Sequence, residues 1–244
     1  YSFIYSTNHF FWTNILTGAK QFLDFPCITI SDGCSWVELP NTTICFTGGI
    51  GFTSAIEFKE TCFIQPRKSF SVLRKTPMNH LKTLHASAYF EGFVYAIGGY
   101  IGGFLDACER YNVAEDKWED IPKLPEPASG FNALVLEFCK CLYVFGGGNR
   151  IVQEFSLETL QWRVLEFTLM TNQHWMISFR QSPDSSKLFY IDDSTLYSFC
   201  PQDSSPTKVK KLASSNYEAI GSCSIYRDRM LYSPSRYGQT IALK

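Results

Sequence analysis

The sequence is poor in the residues and patterns from which catalytic and metal sites are built. It has only four histidines, dispersed along the chain at positions 9, 80, 85 and 174. None of its nine cysteines forms a Cys-x-x-Cys pair, which argues against a zinc ribbon and a thioredoxin-like site. There is no Gly-x-Ser-x-Gly elbow, and no Gly-Lys-Ser/Thr follows the glycines at 146–148. We therefore expect no catalytic residue, no metal ligand and no cofactor.

Charge of one sign and long apolar runs are missing as well. The formal net charge is −1, and the densest basic run is only Lys208–Lys211, so we expect no nucleic-acid partner. No apolar stretch reaches the ~18–20 residues that a membrane helix needs, so we expect no membrane contact. The cysteines mostly lie in apolar, strand-like runs, where free cysteine acts as a small hydrophobe. That usage favours a reducing compartment such as the cytoplasm.

What the chain does contain is one strand that returns six times. Each copy has a pair of apolar or aromatic residues, and successive pairs are 40 to 50 positions apart. The pairs are Ile4-Tyr5, Ile44-Cys45, Val94-Tyr95, Leu142-Tyr143, Leu188-Phe189 and Leu231-Tyr232. Self-similarity at this period in β-rich units is typical of a propeller.

Two of the units carry a fuller motif, which is a double glycine, then an aromatic residue, then a tryptophan seven positions later. The motif residues are Gly98, Gly99, Tyr111 and Trp118 in the third unit, and Gly146, Gly147, Phe155 and Trp162 in the fourth. A partial copy in the second unit has Gly48, Gly49, Phe63 and Phe70. The pattern resembles the kelch repeat. In that family each repeat is a four-stranded antiparallel blade, the glycines end its second strand, and the aromatics pack between blades.

The resemblance implies an all-β fold, a six-bladed kelch-type β-propeller in a single domain over residues 1–244. The approximate blades are 1–34, 35–80, 81–128, 129–172, 173–215 and 216–244, with the first and last incomplete. Seven blades would need more chain, and five would leave one repeat unexplained. Because the sequence starts at Tyr1 inside a strand-like run, we expect it to be the propeller part of a longer protein.

The loops that follow the glycine pairs are the expected binding surface, since loops on a rigid scaffold commonly carry function. We predict that Tyr100 and Arg150 contact a partner, because aromatic residues and arginine are enriched at interaction hot spots. Phe104 and Leu105 either extend this apolar loop or simply begin the next strand.

Two further clusters have a structural and a chemical interpretation. Cys139-Lys140-Cys141 would place both sulfurs on one face of a strand, and we interpret them as core fillers rather than as a metal or redox pair. His80 and His85 are five apart, and we expect them in a solvated linker rather than at a metal.

The resemblance implies a protein–protein interaction module or a structural scaffold, and not an enzyme. Similar proteins serve as ubiquitin-ligase substrate receptors, as actin-associated proteins, or as parts of cytoskeletal and ciliary assemblies. We therefore expect protein partners in the cytoplasm, in association with the cytoskeleton or a cilium. The alternatives are a propeller enzyme with a metal site at one end of the ring, and a carbohydrate or small-ligand binder. Partner identity and oligomeric state do not follow from the sequence.

Overall fold

The computed structural model describes most of the chain, and every structural statement below concerns the described residues. These are residues 2–6, 9–13, 20–24, 33–41, 43–49, 59–65, 71–129, 132–145, 150–169, 177–180, 186–192, 195–203, 205–211, 220–226, 229–234 and 241–242. They form two compact units, one of residues 31–176 and one of residues 1–30 with 177–244.

The unit of residues 31–176 contains three four-stranded antiparallel sheets, and in each sheet consecutive strands are neighbours. Sheet 2 comprises β4 (Ser35–Glu38), β5 (Ile44–Thr47), β6 (Thr61–Gln65) and β7 (Ser71–Lys75). Sheet 3 comprises β8 (Ala86–Phe90), β9 (Phe93–Ile97), β10 (Cys108–Asn112) and β11 (Lys117–Ile121). Sheet 4 comprises β12 (Asn132–Leu136), β13 (Cys141–Phe145), β14 (Ile151–Ser156) and β15 (Gln161–Thr168).

The other unit contains one four-stranded sheet and two three-stranded sheets, all antiparallel. Sheet 5 comprises β16 (Ile177–Arg180), β17 (Leu188–Asp192), β18 (Thr195–Phe199) and β19 (Thr207–Lys211). Sheet 1 comprises β1 (Ser2–Ser6), β2 (His9–Thr13) and β3 (Lys20–Asp24), and sheet 6 comprises β20 (Ile220–Tyr226), β21 (Arg229–Pro234) and β22 (Ile241–Ala242).

These sheets confirm the fold class that the sequence predicts, because the described chain is almost entirely β and its strand order is that of kelch blades. Each sheet lies within one of the six ranges given above, and the first and last sheets have three strands each among the described residues. That the whole chain forms one domain stays a prediction.

Sheet 3 shows why the strands are so apolar, since it buries both of its faces. On β9, Val94 and Ala96 pack in a cluster with Val37, Cys45 and Phe63 of sheet 2. The alternate residues Tyr95 and Ile97 pack in a second cluster with Val135, Leu142 and Phe155 of sheet 4. Successive side chains of a strand point to opposite faces, so a strand between two neighbouring sheets must be apolar at every position.

One local prediction is wrong, namely that Cys139 lies on a strand. In sheet 2, Phe63 is paired across the strands with Leu73, at the place where Tyr111 is paired with Trp118 in sheet 3 and Phe155 with Trp162 in sheet 4. Phe70 itself lies outside the described residues. Cys139 is not on a strand, because it ends a single-turn 3-10 helix, Glu137–Cys139, and β13 begins only at Cys141.

The described part of the chain includes no helix that has the length and hydrophobicity to span a membrane.

Candidate protein-interaction site

The glycine pair after β5 lies at joint 2/3, the contact between sheets 2 and 3. The N–H of Gly48 donates to the carbonyl of Glu60 in its own sheet at 3.0 Å. The N–H of Gly49 donates to the carbonyl of Lys82, in the segment that leads into sheet 3, at 3.1 Å. Gly48 has φ +62°, and a Cβ there would lie 2.3 Å from the Lys82 carbonyl oxygen. Only glycine permits this backbone conformation and this approach without strain.

The glycine pair after β9 repeats this arrangement at joint 3/4, the contact between sheets 3 and 4. Gly98 donates to the carbonyl of Ala107 in its own sheet at 3.0 Å, and Gly99 donates to the carbonyl of Ala128 at 2.9 Å. Ala128 precedes β12 as Lys82 precedes β8. In each joint the second glycine therefore ties its sheet to the start of the next. Gly146 and Gly147 lie outside the described residues.

The tryptophans of the motif tie each sheet back to the preceding one. The indole N–H of Trp118 lies 3.0 Å from Thr61 Oγ1 and 3.1 Å from the carbonyl of Thr76. The indole N–H of Trp162 donates to the carbonyl of Pro122 at 2.7 Å. Thr76 and Pro122 are each the first residue after the last strand of the preceding sheet. The two tryptophans thus make the same contact one repeat apart.

An aromatic neighbour supports each tryptophan from within its own sheet. The ring centroids are 5.2 Å apart for Tyr111 and Trp118, and 4.7 Å apart for Phe155 and Trp162. Tyr111 also meets Phe63 of sheet 2 edge-on at 5.9 Å. Burial, and then the hydrogen bond from its hydroxyl to Asp116, raises the pKa of Tyr111 well above its usual range. The phenol therefore stays protonated and donates to that carboxylate.

Joint 2/3 contains a buried ion pair that the sequence does not predict. Lys82 Nζ lies 3.2 Å from Glu109 Oε1, and both side chains are fully buried. Lys82 Nζ also donates to the carbonyl of Ala107 at 3.0 Å, while Glu109 Oε2 accepts the N–H of Asn79 at 2.8 Å. Charge–charge attraction and these hydrogen bonds oppose the large desolvation cost of burying both ions.

His85 is buried beside this pair, so its predicted place in a solvated linker is wrong. Its Nε2 lies 2.7 Å from Thr47 Oγ1. Burial, and then the charge of Lys82, lowers the pKa of His85 to about 3, which keeps the imidazole neutral at physiological pH. His80 instead lies at the surface, 2.8 Å from Asp120 Oδ1. The described residues hold no cluster of three or more His, Cys, Asp or Glu side chains suited to a metal ion.

Residues 99–105 form what we call the Tyr100 loop, and its backbone is anchored on both sides. The N–H of Tyr100 donates to the carbonyl of Thr83 at 2.8 Å, and the N–H of Thr83 returns the bond at 3.3 Å. The N–H of Leu105 donates to the carbonyl of Gly99 at 2.9 Å, and the carbonyl of Leu105 accepts the N–H of Ala128 at 3.2 Å. The loop is therefore held to the segments that lead into sheets 3 and 4.

The anchored loop presents aromatic rings to solvent. The side chains of Tyr100 and Phe104 are 39% and 50% exposed, and their rings meet edge-on with centroids 6.1 Å apart. Leu81, two residues before Thr83, is also exposed. Since β10 begins only at Cys108, the interpretation that Phe104 and Leu105 start the next strand is wrong. Both belong to the loop.

Arg150 lies elsewhere in the unit, immediately before β14. Its backbone has φ +59°, its Nε donates to the carbonyl of Leu169 at 2.8 Å, and its own carbonyl accepts the N–H of Leu169 at 2.7 Å. The residue is exposed. Its backbone is thus fixed, and its guanidinium remains at the surface.

Comparison with known proteins finds similarity in the repeat that forms sheet 3. A family model described as the kelch motif matches residues 82–125, the stretch from the buried lysine through the glycine pair and the tryptophan of sheet 3. This stretch of the chain carries a kelch motif. Kelch-like protein 23 from Homo sapiens is 26% identical to it over 163 residues, which cover 63% of this chain and 28% of that relative. The chain thus matches less than a third of the relative's length.

Proposed function

We propose that this kelch-repeat chain is a protein–protein interaction module within a larger assembly, and that the Tyr100 loop is a principal contact. The observation that supports the proposal is the combination of exposed aromatic rings with a backbone bonded to two lead-in segments. An anchored loop loses little conformational entropy on binding, so more of its contact energy appears as affinity. Tyrosine is also among the residue types that are enriched at binding hot spots.

Arg150 is proposed as a second, weaker contact. Its exposed guanidinium can pair with a carboxylate of a partner, but one of its donors is already used by the Leu169 carbonyl. A solvent-exposed ion pair adds only about 0–1 kcal/mol, so we expect the aromatic loop to dominate.

The assembly is proposed from the family resemblance. A ubiquitin-ligase adaptor, a cytoskeletal scaffold and a ciliary scaffold each use a propeller to hold another protein, and each would place the chain in the cytoplasm. The likeness to Kelch-like protein 23 supports a kelch-type interaction module without choosing among these assemblies.

The test compares two double variants of the tagged full-length protein in cells, read by crosslinking and quantitative mass spectrometry. Tyr100→Ser with Phe104→Ser removes both exposed rings and should reduce recovery of specific partners at least tenfold. Leu73→Ser with Val164→Ser is the matched control, because these side chains are similarly exposed, at 55% and 42%, but lie on β7 and β15.

Arg150→Ala serves as a third arm, in which we expect about a twofold loss of recovery. Equal recovery of all partners by the Tyr100/Phe104 variant and its control, with both variants showing unchanged thermal unfolding, would refute the proposed contact.

A further inference from the structure

Two consecutive residues, Lys82 and Thr83, hold the Tyr100 loop near both of its ends. Thr83 exchanges two backbone hydrogen bonds with Tyr100, at 2.8 and 3.3 Å. Lys82 Nζ donates to the carbonyl of Ala107 at 3.0 Å, between the end of the loop and the start of β10. The position of the loop therefore depends on the backbone of these two residues.

The side chain of Thr83 is bonded in another direction, to the segment that leads into sheet 2. Its hydroxyl donates to the carbonyl of Gly33 at 3.2 Å, and the N–H of Leu84 donates to the same carbonyl at 2.7 Å. We call this arrangement of Gly33, Thr83 and Leu84 the Gly33 contact. Thr83 is fully buried, at 0% exposure, so its side chain has no access to a partner that docks on the loop.

The Gly33 contact includes an unfavourable backbone conformation. Leu84 has φ +53°, in the left-handed region, which a bulky residue other than glycine rarely adopts. Such a conformation persists only where the surrounding structure over-determines it, and it is concentrated at binding sites and switch regions. Here the two hydrogen bonds to one carbonyl hold it in place. The conformation of Leu84 thus points to a role beyond connecting two sheets.

The contact also requires glycine at position 33. Gly33 has φ +68°, and a Cβ there would lie 2.2 Å from Thr83 Oγ1 and 3.0 Å from Leu84 Cδ2. Any other residue would push the threonine hydroxyl away from the carbonyl that it binds. The approach of these two segments is therefore a specific feature of the sequence.

We propose, on the basis of the proposed function, that Gly33 and Thr83 are positioning residues of the Tyr100 loop. The Gly33 contact fixes the backbone of Thr83, and Thr83 fixes that of Tyr100 through their paired hydrogen bonds. Tyr100 is bridged in turn to Phe104, so both exposed rings depend on this contact. A loop that is fixed before binding loses less conformational entropy when a partner docks. The two residues thus strengthen binding without contacting the partner.

The first experiment measures hydrogen–deuterium exchange of the purified full-length protein by mass spectrometry. Thr83→Val removes the hydroxyl but keeps the branched shape, and exchange in peptides covering residues 98–106 should become about fivefold faster, as for the loss of one neutral hydrogen bond. Thr83→Ser keeps the hydroxyl and should exchange as the wild type does. Thr61→Val is the matched control, because Thr61 is equally buried, at 1% exposure, but its hydroxyl lies against the Trp118 indole.

Gly33→Ala breaks the same contact from the other side, and it keeps the test decisive even if Thr83→Val fails to fold. The added methyl group displaces the Thr83 hydroxyl, so exchange in residues 98–106 should again become faster. Gly92→Ala is its control. Gly92 also has a left-handed backbone, with φ +88°, but a Cβ there meets nothing within 4 Å, so exchange in the loop should not change.

The second experiment repeats the crosslinking measurement in cells with the threonine variants. Thr83→Val should reduce recovery of the partners that the Tyr100/Phe104 variant loses by about threefold, which corresponds to the cost of ordering a loop side chain on binding. Thr83→Ser should restore recovery to the level of the wild type. A residue that only supported the fold would lower the recovery of all partners in proportion to the loss of folded protein.

Unchanged exchange of residues 98–106 in Thr83→Val would overturn the positioning role, and so would equally faster exchange in every peptide of the unit. Full recovery of partners by Thr83→Val, when the Tyr100/Phe104 variant loses them, would refute the positioning role and leave the proposed contact intact. The opposite result, a selectively faster loop in Thr83→Val with no partner lost by the Tyr100/Phe104 variant, would refute the proposed contact alone.

Discussion

Joints 2/3 and 3/4 make the same backbone contacts with different side chains. In both, the second glycine of a pair donates to the segment that leads into the next sheet, and a tryptophan donates to the first residue after the preceding sheet. In joint 2/3 that lead-in segment contains Lys82, buried against Glu109. In joint 3/4 the corresponding residue is Ala128.

The third strands of sheets 3 and 4 carry a buried polar residue at the same position, Glu109 and Gln153, and the difference between them explains why only joint 2/3 has a buried lysine. Glu109 accepts the N–H of Asn79, and its counterpart in sheet 4, Gln153, accepts the N–H of Glu126 at 3.1 Å. Each holds the lead-in segment of its own sheet, but Gln153 also donates to the Glu126 carbonyl at 3.1 Å and needs no counter-ion. The segment that leads into the sheet is thus bound by a charged glutamate paired with lysine in joint 2/3, and by a neutral glutamine side chain in joint 3/4.

The largest expected loss of stability comes from replacing Glu109 of joint 2/3 by glutamine, the residue that joint 3/4 has at the corresponding position. Glu109→Gln leaves the buried Lys82 ammonium without its carboxylate, and breaking a buried pair from one side costs about 3–5 kcal/mol of unfolding free energy. Adding Lys82→Met removes the orphaned charge and should recover more than half of that loss. Urea denaturation of the single and double variants measures both. A loss below about 1 kcal/mol in the single variant would mean that the pair does not hold the joint.

A smaller effect is expected from the close approach at Gly48. Gly48 and Gly102 have almost the same backbone, with φ +62° and +61°, but a Cβ at Gly48 would meet the Lys82 carbonyl oxygen at 2.3 Å, while one at Gly102 meets nothing within 4 Å. Gly102→Ala should therefore cost only the left-handed backbone strain, about 1 kcal/mol, and Gly48→Ala about 3 kcal/mol. Thermal unfolding of both variants gives the difference. Equal losses would show that the strand end relaxes away from Lys82.

The sequence predicts the glycine turns and the aromatic–tryptophan pairs of the joints, but it does not predict the buried Lys82–Glu109 ion pair, and the reason is physical. A double glycine and an aromatic–tryptophan spacing of seven report local geometry, a left-handed turn and a two-stranded hairpin, so they are visible in one sequence. The Lys82–Glu109 pair joins residues of the lead-in segment and β10, and nothing local marks either as buried. A lysine and a glutamate are expected at the surface until the fold places them.

The predictions for His85 and Cys139 are wrong for the same reason. His85 follows a polar linker, and only the packing of the lead-in segment against Thr47 of sheet 2 buries it. Cys139 reads as strand because its neighbours are apolar, but Lys140 adopts a left-handed turn, which a single sequence rarely signals outside glycine and asparagine. In contrast, the position of Tyr100 after the glycine pair predicts that it lies in a surface loop, and in the structure Tyr100 is exposed.

The smallest expected effect separates the two tryptophans. Trp118 is 4% exposed, and Trp118→Phe would leave the buried Thr61 hydroxyl without its indole donor, so we expect a loss of about 1–3 kcal/mol. Trp162 is only half-buried, so water can replace its bond to the Pro122 carbonyl, and Trp162→Phe should cost about 1 kcal/mol or less. Urea denaturation at constant m-value measures both. If Trp162→Phe proves the more destabilising variant, burial of the tryptophan does not distinguish joint 2/3 from joint 3/4. The buried Lys82–Glu109 pair would then be the difference in energy between the two joints.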